Sequence, residues 1–189
     1  MSTPKQTMNL ANQFLIAMPG LNDPSFERSL IYICHHDDEG AMGLIINQET
    51  EAQLDELLEQ LDINAEQELP QKVLHGGPVR QEQGFILHST DNGPYPKSDI
   101  ICEEVALSGS LEVLEHIATG AGPEKFLVSL GYAGWAPDQL EDEIQSNSWL
   151  TAPATVEILF QVPSHLKWQK AVASLGFDPN TLQSTAGHA

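Results

Sequence analysis

Residues 29–47, SLIYICHHDDEGAMGLIIN, contain two short apolar runs on either side of an acidic segment that ends in glycine. The runs cover residues 29–36 and 42–47 and are rich in isoleucine and leucine, a composition typical of buried strands. The intervening residues 37–40, DDEG, favour a turn, so the whole stretch predicts a β-hairpin. A further run at residues 13–18, QFLIAM, predicts another strand.

A helix is predicted after this hairpin, because leucines follow Leu54 at the i, i+3, i+4, i+7 spacing of an amphipathic helix. Thr50 and Gln53 have the spacing of a capping box, which predicts that the helix begins there. Residues 72–79 and 84–89 then predict two strands around a Gly-Gly-Pro turn.

Strand and helix signals alternate in the second half of the chain. The predicted elements are a strand at 101–107, a helical face of Leu111, Leu114 and Ile117, an apolar strand at 125–131, a helix starting at Pro137, a strand at 154–162 and a last helix capped by Ser164 and ended by Gly176. Together these signals predict one compact α+β domain over residues 1–189, with a mixed β-sheet and helices packed on its faces. Residues 1–8 are expected to be poorly ordered.

The chain is strongly acidic: 8 Lys and Arg residues against 27 Asp and Glu residues give a formal net charge of −19. No cation occurs between Arg28 and Lys72 or between Lys125 and Lys167. Nucleic-acid binders rely on Lys and Arg to neutralise phosphates, and anionic lipid surfaces also repel such a charge. We therefore expect no direct contact with nucleic acid or membrane.

Cys34 and Cys102 are the only cysteines, and they lie far apart and outside any metal-binding spacing. Two free thiols suit the reducing cytoplasm, and no apolar stretch approaches the roughly 18 residues of a membrane span. The sequence thus predicts a cytoplasmic protein without a cofactor. Its oligomeric state is not indicated.

Five separated motifs resemble those of the bacterial AlgH/YqgE family, and they follow one another in order along nearly the whole chain. They are residues 14–47, GGPV (76–79) with GFILH (84–88), LVSLGYAGW (127–135), NSWLTAPA (147–154) and AGHA (186–189). The resemblance implies a compact α+β fold, cytosolic residence and no established activity, although some members are described as regulators of transcription. It implies no catalytic residues. The family usually has Arg before the GF pair, where this chain has Gln83.

The segment from His35 to Glu39 is the richest collection of metal-ligand types. Adjacent strand residues point to opposite faces, so His35 and His36 are expected to diverge and the carboxylates to face water. We predict no metal site. Cys34 is either an inert core thiol, which is favoured, or a reactive thiol whose pKa a neighbouring His35 lowers at an exposed strand end. Ser108 and Ser110 are interpreted as helix caps.

Three further positions are candidate binding residues. Gly76 and Gly77 either present backbone amides to an anion or form a tight turn, and the turn is favoured. Arg28 either clamps a carboxylate or orients an anionic ligand, and the clamp is favoured.

The GYAGW segment (131–135) is the predicted pocket, because it follows a buried strand and precedes a helix. Tyr132 and Trp135 are expected to form a partly buried aromatic edge, towards which Asn147 returns. Three functions stay open: a non-catalytic module that binds a protein or small molecule, which is favoured; an enzyme that uses Tyr132, Asn147 or a histidine as acid or base; and a DNA-binding regulator.

Overall fold

The computed structural model describes residues 8–184 apart from residues 20 and 22. The predicted disorder of residues 1–8 therefore lies outside the described residues, except for the exposed Met8. Ten strands are assigned within the described chain: β1 (Gln13–Ala17), β2 (Leu30–Asp37), β3 (Gly40–Ile45), β4 (Glu49–Gln53), β5 (Lys72–His75), β6 (Val79–Ser89), β7 (Ser98–Cys102), β8 (Val105–Ser108), β9 (Phe126–Trp135) and β10 (Trp149–Pro153).

Helices cover both faces of the sheet that these strands form. They are α1 (Leu54–Gln60), α2 (Leu111–Thr119), α3 (Gln139–Gln145), α4 (Ser164–Ser174) and α5 (Pro179–Ser184), with a 3₁₀ turn at Pro24–Phe26 and a π-helical turn at Glu157–Gln161. None of the helices in the described chain is long and apolar enough to cross a membrane.

The strands run in the order β10-β1-β2-β3-β9-β6-β8-β7, and β5 joins β4 to β9. The β5–β9 pair is parallel and the others are antiparallel. The predicted α+β domain with a mixed sheet is confirmed. The β2–β3 hairpin predicted from residues 29–47 is also present, with its turn between Asp37 and Gly40.

The sheet curls on itself. Tyr32 on β2 and Val105 on β8 share one buried cluster although three strands separate β2 from β8 in the sheet, and Trp168 of α4 closes that cluster. A second cluster on the opposite face is covered by α3 through Leu140, and a third is covered by α1 and α2. Burying apolar area at about 25 cal/mol per Å² makes these clusters the main stabilising term.

Between β5 and β6 the chain crosses over β9. The two strands do not pair with each other, because both pair with β9, so the predicted tight hairpin turn at Gly-Gly-Pro is wrong. A Cβ at Gly76 would come within 2.4 Å of the Gly131 carbonyl oxygen, and one at Gly77 within 2.1 Å of the Tyr132 carbonyl carbon. Glycine at these positions is what lets the two backbones touch.

Three local predictions differ from the structure, and in the first two tertiary pairing overrides local propensity. Thr50 lies in β4, where its hydroxyl donates to the Val73 carbonyl, so the helix begins only at Leu54 and the capping box is wrong. The single strand predicted at 101–107 is a hairpin of β7 and β8 that turns at two consecutive glutamates. The last helix begins at Ser164 itself, with Pro163 as its cap residue.

The strand predicted at 154–162 is instead the π-helical turn Glu157–Gln161. Ile158 and Leu159 are consecutive residues of this turn, and both are buried in the cluster that Trp168 closes. Consecutive residues of a strand would point to opposite faces, whereas a helical turn presents both to one side. A short apolar run does not distinguish these two conformations by periodicity.

Candidate functional site

An open cleft of about 610 Å³ lies on the sheet beside Tyr132, and we call it the Tyr132 cleft. It lies between the tip of the β2–β3 hairpin and the start of β6, with the end of β9 as its floor. The residues that line it are His35, Asp37, Glu39, Gly40, Ala41, Met42, Val79, Arg80, Gln83, Phe85, Tyr132, Gly134 and Trp135.

Strand register fixes the floor of the cleft. His35 pairs with Met42, and Met42 pairs with Gly134, so these three positions form a row across β2, β3 and β9. Tyr132 lies two residues before Gly134, on the same face of β9. Its ring packs edge-on against Phe85, with 5.8 Å between the centroids. The floor is therefore apolar, with a gap at the glycine.

The wall formed by the hairpin tip carries an exposed hydrogen bond between His35 and Asp37. His35 Nε2 lies 2.8 Å from Asp37 Oδ2, and the backbone N–H of Glu39 donates to Asp37 Oδ1. The bond from the Glu39 amide, followed by the His35 contact, lowers the pKa of Asp37, so this wall keeps a negative charge. His36 points to the opposite face, as predicted, and it is buried.

The opposite wall comes from a break in the β6–β9 ladder. Register shifts between Val79 and Gly84, which leaves residues 80–83 outside the ladder. Arg80 has a φ of +44° and, like Gln83, is exposed. Gln83 stands where the resemblance to the family suggests Arg, and Arg80 supplies a guanidinium to the same wall. Neither side chain, nor the Tyr132 hydroxyl, has a hydrogen-bond partner among the described residues.

Trp135 faces away from Tyr132. It is 7% exposed, and its ring packs against Trp149 with 6.1 Å between the centroids. The indole nitrogens of both tryptophans donate to Glu143 Oε2, at 2.6 and 3.2 Å. The predicted partly buried aromatic edge exists, but it lies within β9 and its two rings point to opposite faces.

The other candidate binding residues lie apart from the cleft. Asn147 is exposed in the turn after α3 with a φ of +59°, a conformation that Asn tolerates. Gly76 is buried, and its amide already donates to the Leu130 carbonyl, so it is not free to bind an anion. Gly77 is buried beside it in the crossing over β9.

Arg28 lies near the start of β2, whereas the cleft is at the other end of this strand, roughly 25 Å away. No carboxylate pairs with Arg28 in the described part of the chain, so the favoured clamp is not found there. Its guanidinium instead lies 5.0 Å from the centre of the Trp168 ring, a cation–π contact. It borders two smaller clefts of about 270 and 320 Å³.

The sequence analysis missed a buried link between α3 and β2. His36 Nδ1 accepts the Leu10 amide, which places the proton on Nε2, and Nε2 donates to Glu141 Oε1 at 2.6 Å. Glu141 lies in the first turn of α3, where its carboxylate also complements the helix dipole. Across the described chain, no group of three His, Cys, Asp or Glu side chains is placed to hold a metal.

A second buried network surrounds His88, which is fully buried. Its Nδ1 lies 2.8 Å from the Ser89 carbonyl oxygen, to which it donates, so Nε2 accepts from the Ser108 hydroxyl at 2.9 Å. Desolvation lowers the pKa of His88, which favours this neutral form. Ser110 caps α2 as predicted, but Ser108 does not cap it. Cys34 is buried, and burial raises the pKa of its thiol, which agrees with a core residue.

Lys167 is the third feature that the sequence analysis missed. It is 2% exposed, and its ammonium donates to the carbonyl oxygens of Leu159, at 2.7 Å, and Ile46, at 3.3 Å. An α-helix would satisfy Leu159 through the amide four residues later, but that residue is Pro163, which has none. The signal was available: Lys167 stands four residues before Ala171, on the buried face of α4.

We expect the stability of the protein to rise with pH because of Lys167. Burial lowers its pKa to about 8, against 10.5 in the unfolded chain, so between these values the unfolded chain binds more protons. The gain is on the order of 2 to 3 kcal/mol. Buried Cys34 acts in the opposite direction, so the measurement is the difference between wild type and Lys167→Met in urea unfolding at about pH 7.5 and about pH 10.

The matched control is Lys170→Met, which changes an exposed lysine of the same helix. This variant should keep the pH profile of the wild type. A Lys167→Met profile parallel to that of the wild type would show that Lys167 carries an ordinary lysine pKa and is hydrated.

Comparison with known proteins identifies the family. A family model described as AlgH-like matches residues 14–180. The chain belongs to the AlgH-like family. A UPF0301 protein of Thioalkalivibrio sulfidiphilus is 48% identical over 184 residues, covering 96% of this chain and 97% of its own length. A UPF0301 protein of Shewanella sp. strain ANA-3 is 49% identical over 187 residues, covering 96% and 99%.

Two solved structures share the fold. The solution structure of the AlgH protein from Pseudomonas aeruginosa has a TM-score of 0.76 and 42% identity, and the match covers 100% of this chain and 99% of that one. A crystal structure of a protein from Corynebacterium diphtheriae has a TM-score of 0.72 at 20% identity, over 96% and 92% of the two chains. The resemblance found in the sequence motifs is thereby confirmed.

Proposed function

We propose that this AlgH-like protein is a non-catalytic binding or regulatory module of the cytoplasm, which recognises a protein or a small molecule in the Tyr132 cleft. The cleft combines an apolar floor with polar groups that have no partner in the described chain. Such a combination provides orientation and affinity without requiring chemistry.

The observation that carries the proposal is where the buried, shifted titratable groups lie. Enzymes gather groups with displaced pKa values in one concave site. Here burial displaces the pKa of Tyr32, Cys34, His88 and Lys167, and none of these residues lines the cleft. Asp37 does line the cleft, but hydrogen bonds lower its pKa and it is exposed. The four buried groups are distributed over the core and two separate hydrogen-bond networks, which favours binding over catalysis.

The enzyme alternative receives less support from the geometry. Tyr132 and Asn147 do not meet in one cleft, and the histidine of the cleft, His35, is exposed and paired with Asp37. Enzymes usually exclude water from the groups that transfer protons, whereas both side chains of this pair are exposed to solvent. The DNA-binding alternative is opposed by the net charge of −19.

Ligand titrations of the ¹⁵N-labelled protein test the proposal. The probes are mixtures of cytoplasmic metabolites and a random-sequence DNA duplex at about 0.15 M salt. We expect metabolite binders to shift the amides of Met42, Val79 and Gly134, and we expect no binding of the duplex. Tyr132→Phe should weaken the binding of any ligand that bonds the hydroxyl while leaving the stability within about 0.5 kcal/mol of wild type.

Two results contradict the proposal. One is consumption of a cleft-bound metabolite with turnover, followed by one-dimensional proton NMR, which would make the protein an enzyme. The other is binding away from the cleft. Metabolites would then shift only amides around the clefts beside Arg28, or a DNA duplex would bind and be released by more salt. Arg28→Gln is the control variant, since it lies outside the cleft and should leave cleft binding unchanged.

A further inference from the structure

The shape of the Tyr132 cleft favours a segment of a macromolecule over an enclosed small molecule. Small-molecule sites cover about 70 to 90% of the ligand surface. The Tyr132 cleft is open along its length, between the hairpin tip and residues 80–83. A ligand on its floor stays exposed on one side, as an extended peptide does when it lies on a sheet.

The floor carries no side chain at Gly134, and we call this position the Gly134 recess. Gly134 is exposed and lies between Met42 on β3 and the ring of Tyr132. The Tyr132 ring borders this position, so it offers an apolar surface of the kind on which buried anchor residues of a partner pack. The φ of Gly134 is not positive, so its backbone conformation does not require glycine.

The backbone N–H and C=O of Gly134 point away from β3. A Cβ at Gly40 would come within 2.2 Å of the Trp135 carbonyl oxygen, so the polar groups of Trp135 face β3. In a strand, the backbone N–H and C=O of successive residues point to opposite edges. Because those of Trp135 face β3, those of Gly134 face the other edge of β9. On that edge the β6 ladder ends at Val79, opposite Tyr132. An extended main chain can bond there in the manner of an added strand.

Charge identifies the composition of the segment. Asp37 and Glu39 line the hairpin wall, and Asp38 is exposed beside them. Among the described residues that line the cleft, Arg80 is the single Lys or Arg. The net charge of −19 attracts cations over a longer range. We infer that the cleft binds an extended, basic segment of a partner protein, with an apolar side chain in the Gly134 recess and a neighbouring Lys or Arg on Asp37 and Glu39. The inference rests on the proposed function and specifies its ligand.

Three acetylated and amidated heptapeptides serve as probes: one alternates lysine with leucine, one lysine with serine, and one glutamate with leucine. Titrations of the ¹⁵N-labelled protein are made at about 0.15 M salt to screen long-range attraction. We expect the lysine–leucine peptide to shift the amides of Met42, Val79 and Gly134. It should bind at least about tenfold more tightly than either of the other peptides.

Two variants of the protein test the two halves of the site. Gly134→Ala fills the recess, and its Cβ would meet only the Tyr132 ring edge, at 3.3 Å, so the fold should persist while binding weakens about tenfold. Gly109→Ala, where a Cβ meets nothing closer than 4.0 Å, is the matched control. Asp37→Asn with Glu39→Gln should weaken binding about threefold to tenfold, whereas Glu56→Gln with Glu59→Gln on exposed α1 should not.

Several results overturn the inference. Equal binding of the lysine–serine peptide would reduce the contact to charge alone, and equal binding of the glutamate–leucine peptide would remove the charge argument. Shifts confined to other surfaces, or unchanged binding by Gly134→Ala, would exclude the recess. If metabolites bind the cleft and the lysine–leucine peptide does not, this inference fails and the proposed function stands; if no probe shifts the cleft amides, both fail.

Discussion

Replacing Gly131 by alanine should destabilise the protein by more than about 4 kcal/mol, a large share of the roughly 5 to 15 kcal/mol that stabilises a native domain. Gly131 has a φ of +79°, and a Cβ there would lie 2.4 Å from the Gly77 carbonyl oxygen. That oxygen belongs to the segment that crosses β9 between β5 and β6, so the clash is with backbone that is held on both sides. Relief requires the crossing to open, which separates β6 from β9.

Gly120→Ala is a close control because it separates the cost of the left-handed backbone conformation from the cost of the steric clash. Gly120 ends α2 with a φ of +81°, almost the same as Gly131, but no atom lies within 4 Å of the position of a Cβ. Alanine should therefore cost only the left-handed conformation, about 1 to 2 kcal/mol. Urea unfolding followed by circular dichroism measures both variants. Similar unfolding midpoints for the two would mean that the strands do not cross as closely as described.

Trp135→Ala should cost about 3 to 5 kcal/mol, the range of large aromatic truncations in a core. The indole fills the space between Trp149 and α3, and its nitrogen donates to Glu143 at 2.6 Å. The truncation leaves a cavity and also removes one of the two donors of a carboxylate oxygen that Trp149 shares at 3.2 Å. Both effects lower the free energy of unfolding.

Tyr132→Phe is the comparison on the same strand, because it removes a hydroxyl that has no partner in the described chain and keeps the ring contact with Phe85. Its free energy of unfolding should stay within about 0.5 kcal/mol of wild type. Denaturant unfolding monitored by the fluorescence of the remaining tryptophans provides the values. A Trp135→Ala variant within about 1 kcal/mol of wild type would show that this ring is not a core residue.

These two predictions separate the two roles of the GYAGW segment. The sequence placed its aromatic residues together in one pocket, because both follow a buried run. The alternation of a strand sends residues 132 and 135 to opposite faces, since their separation is odd. Trp135 thus belongs to packing under α3, and Tyr132 to the open cleft. The error came from ending the strand at Gly131, whereas β9 continues to Trp135.

The sequence by itself determined the elements whose signals are local. The hairpin at residues 29–47, the leucine-patterned α1 and the apolar first half of β9 follow from hydrophobic periodicity and turn residues, which act between neighbours in the chain. The charge of −19 and the isolation of the cysteines are also properties of composition. The divergence of His35 and His36 needed only the alternation of a strand.

Only the tertiary structure decided which residues meet. Lys167 reaches the Ile46 carbonyl across 121 residues, and Trp168 donates to the Ala17 carbonyl across 151 residues. The crossing at Gly76 and Gly77 likewise depends on β9, some 55 residues later. Local propensity fixes the conformation of a few residues at a time. The Tyr132 cleft, by contrast, exists because the register of three strands brings His35, Met42 and Gly134 into one row.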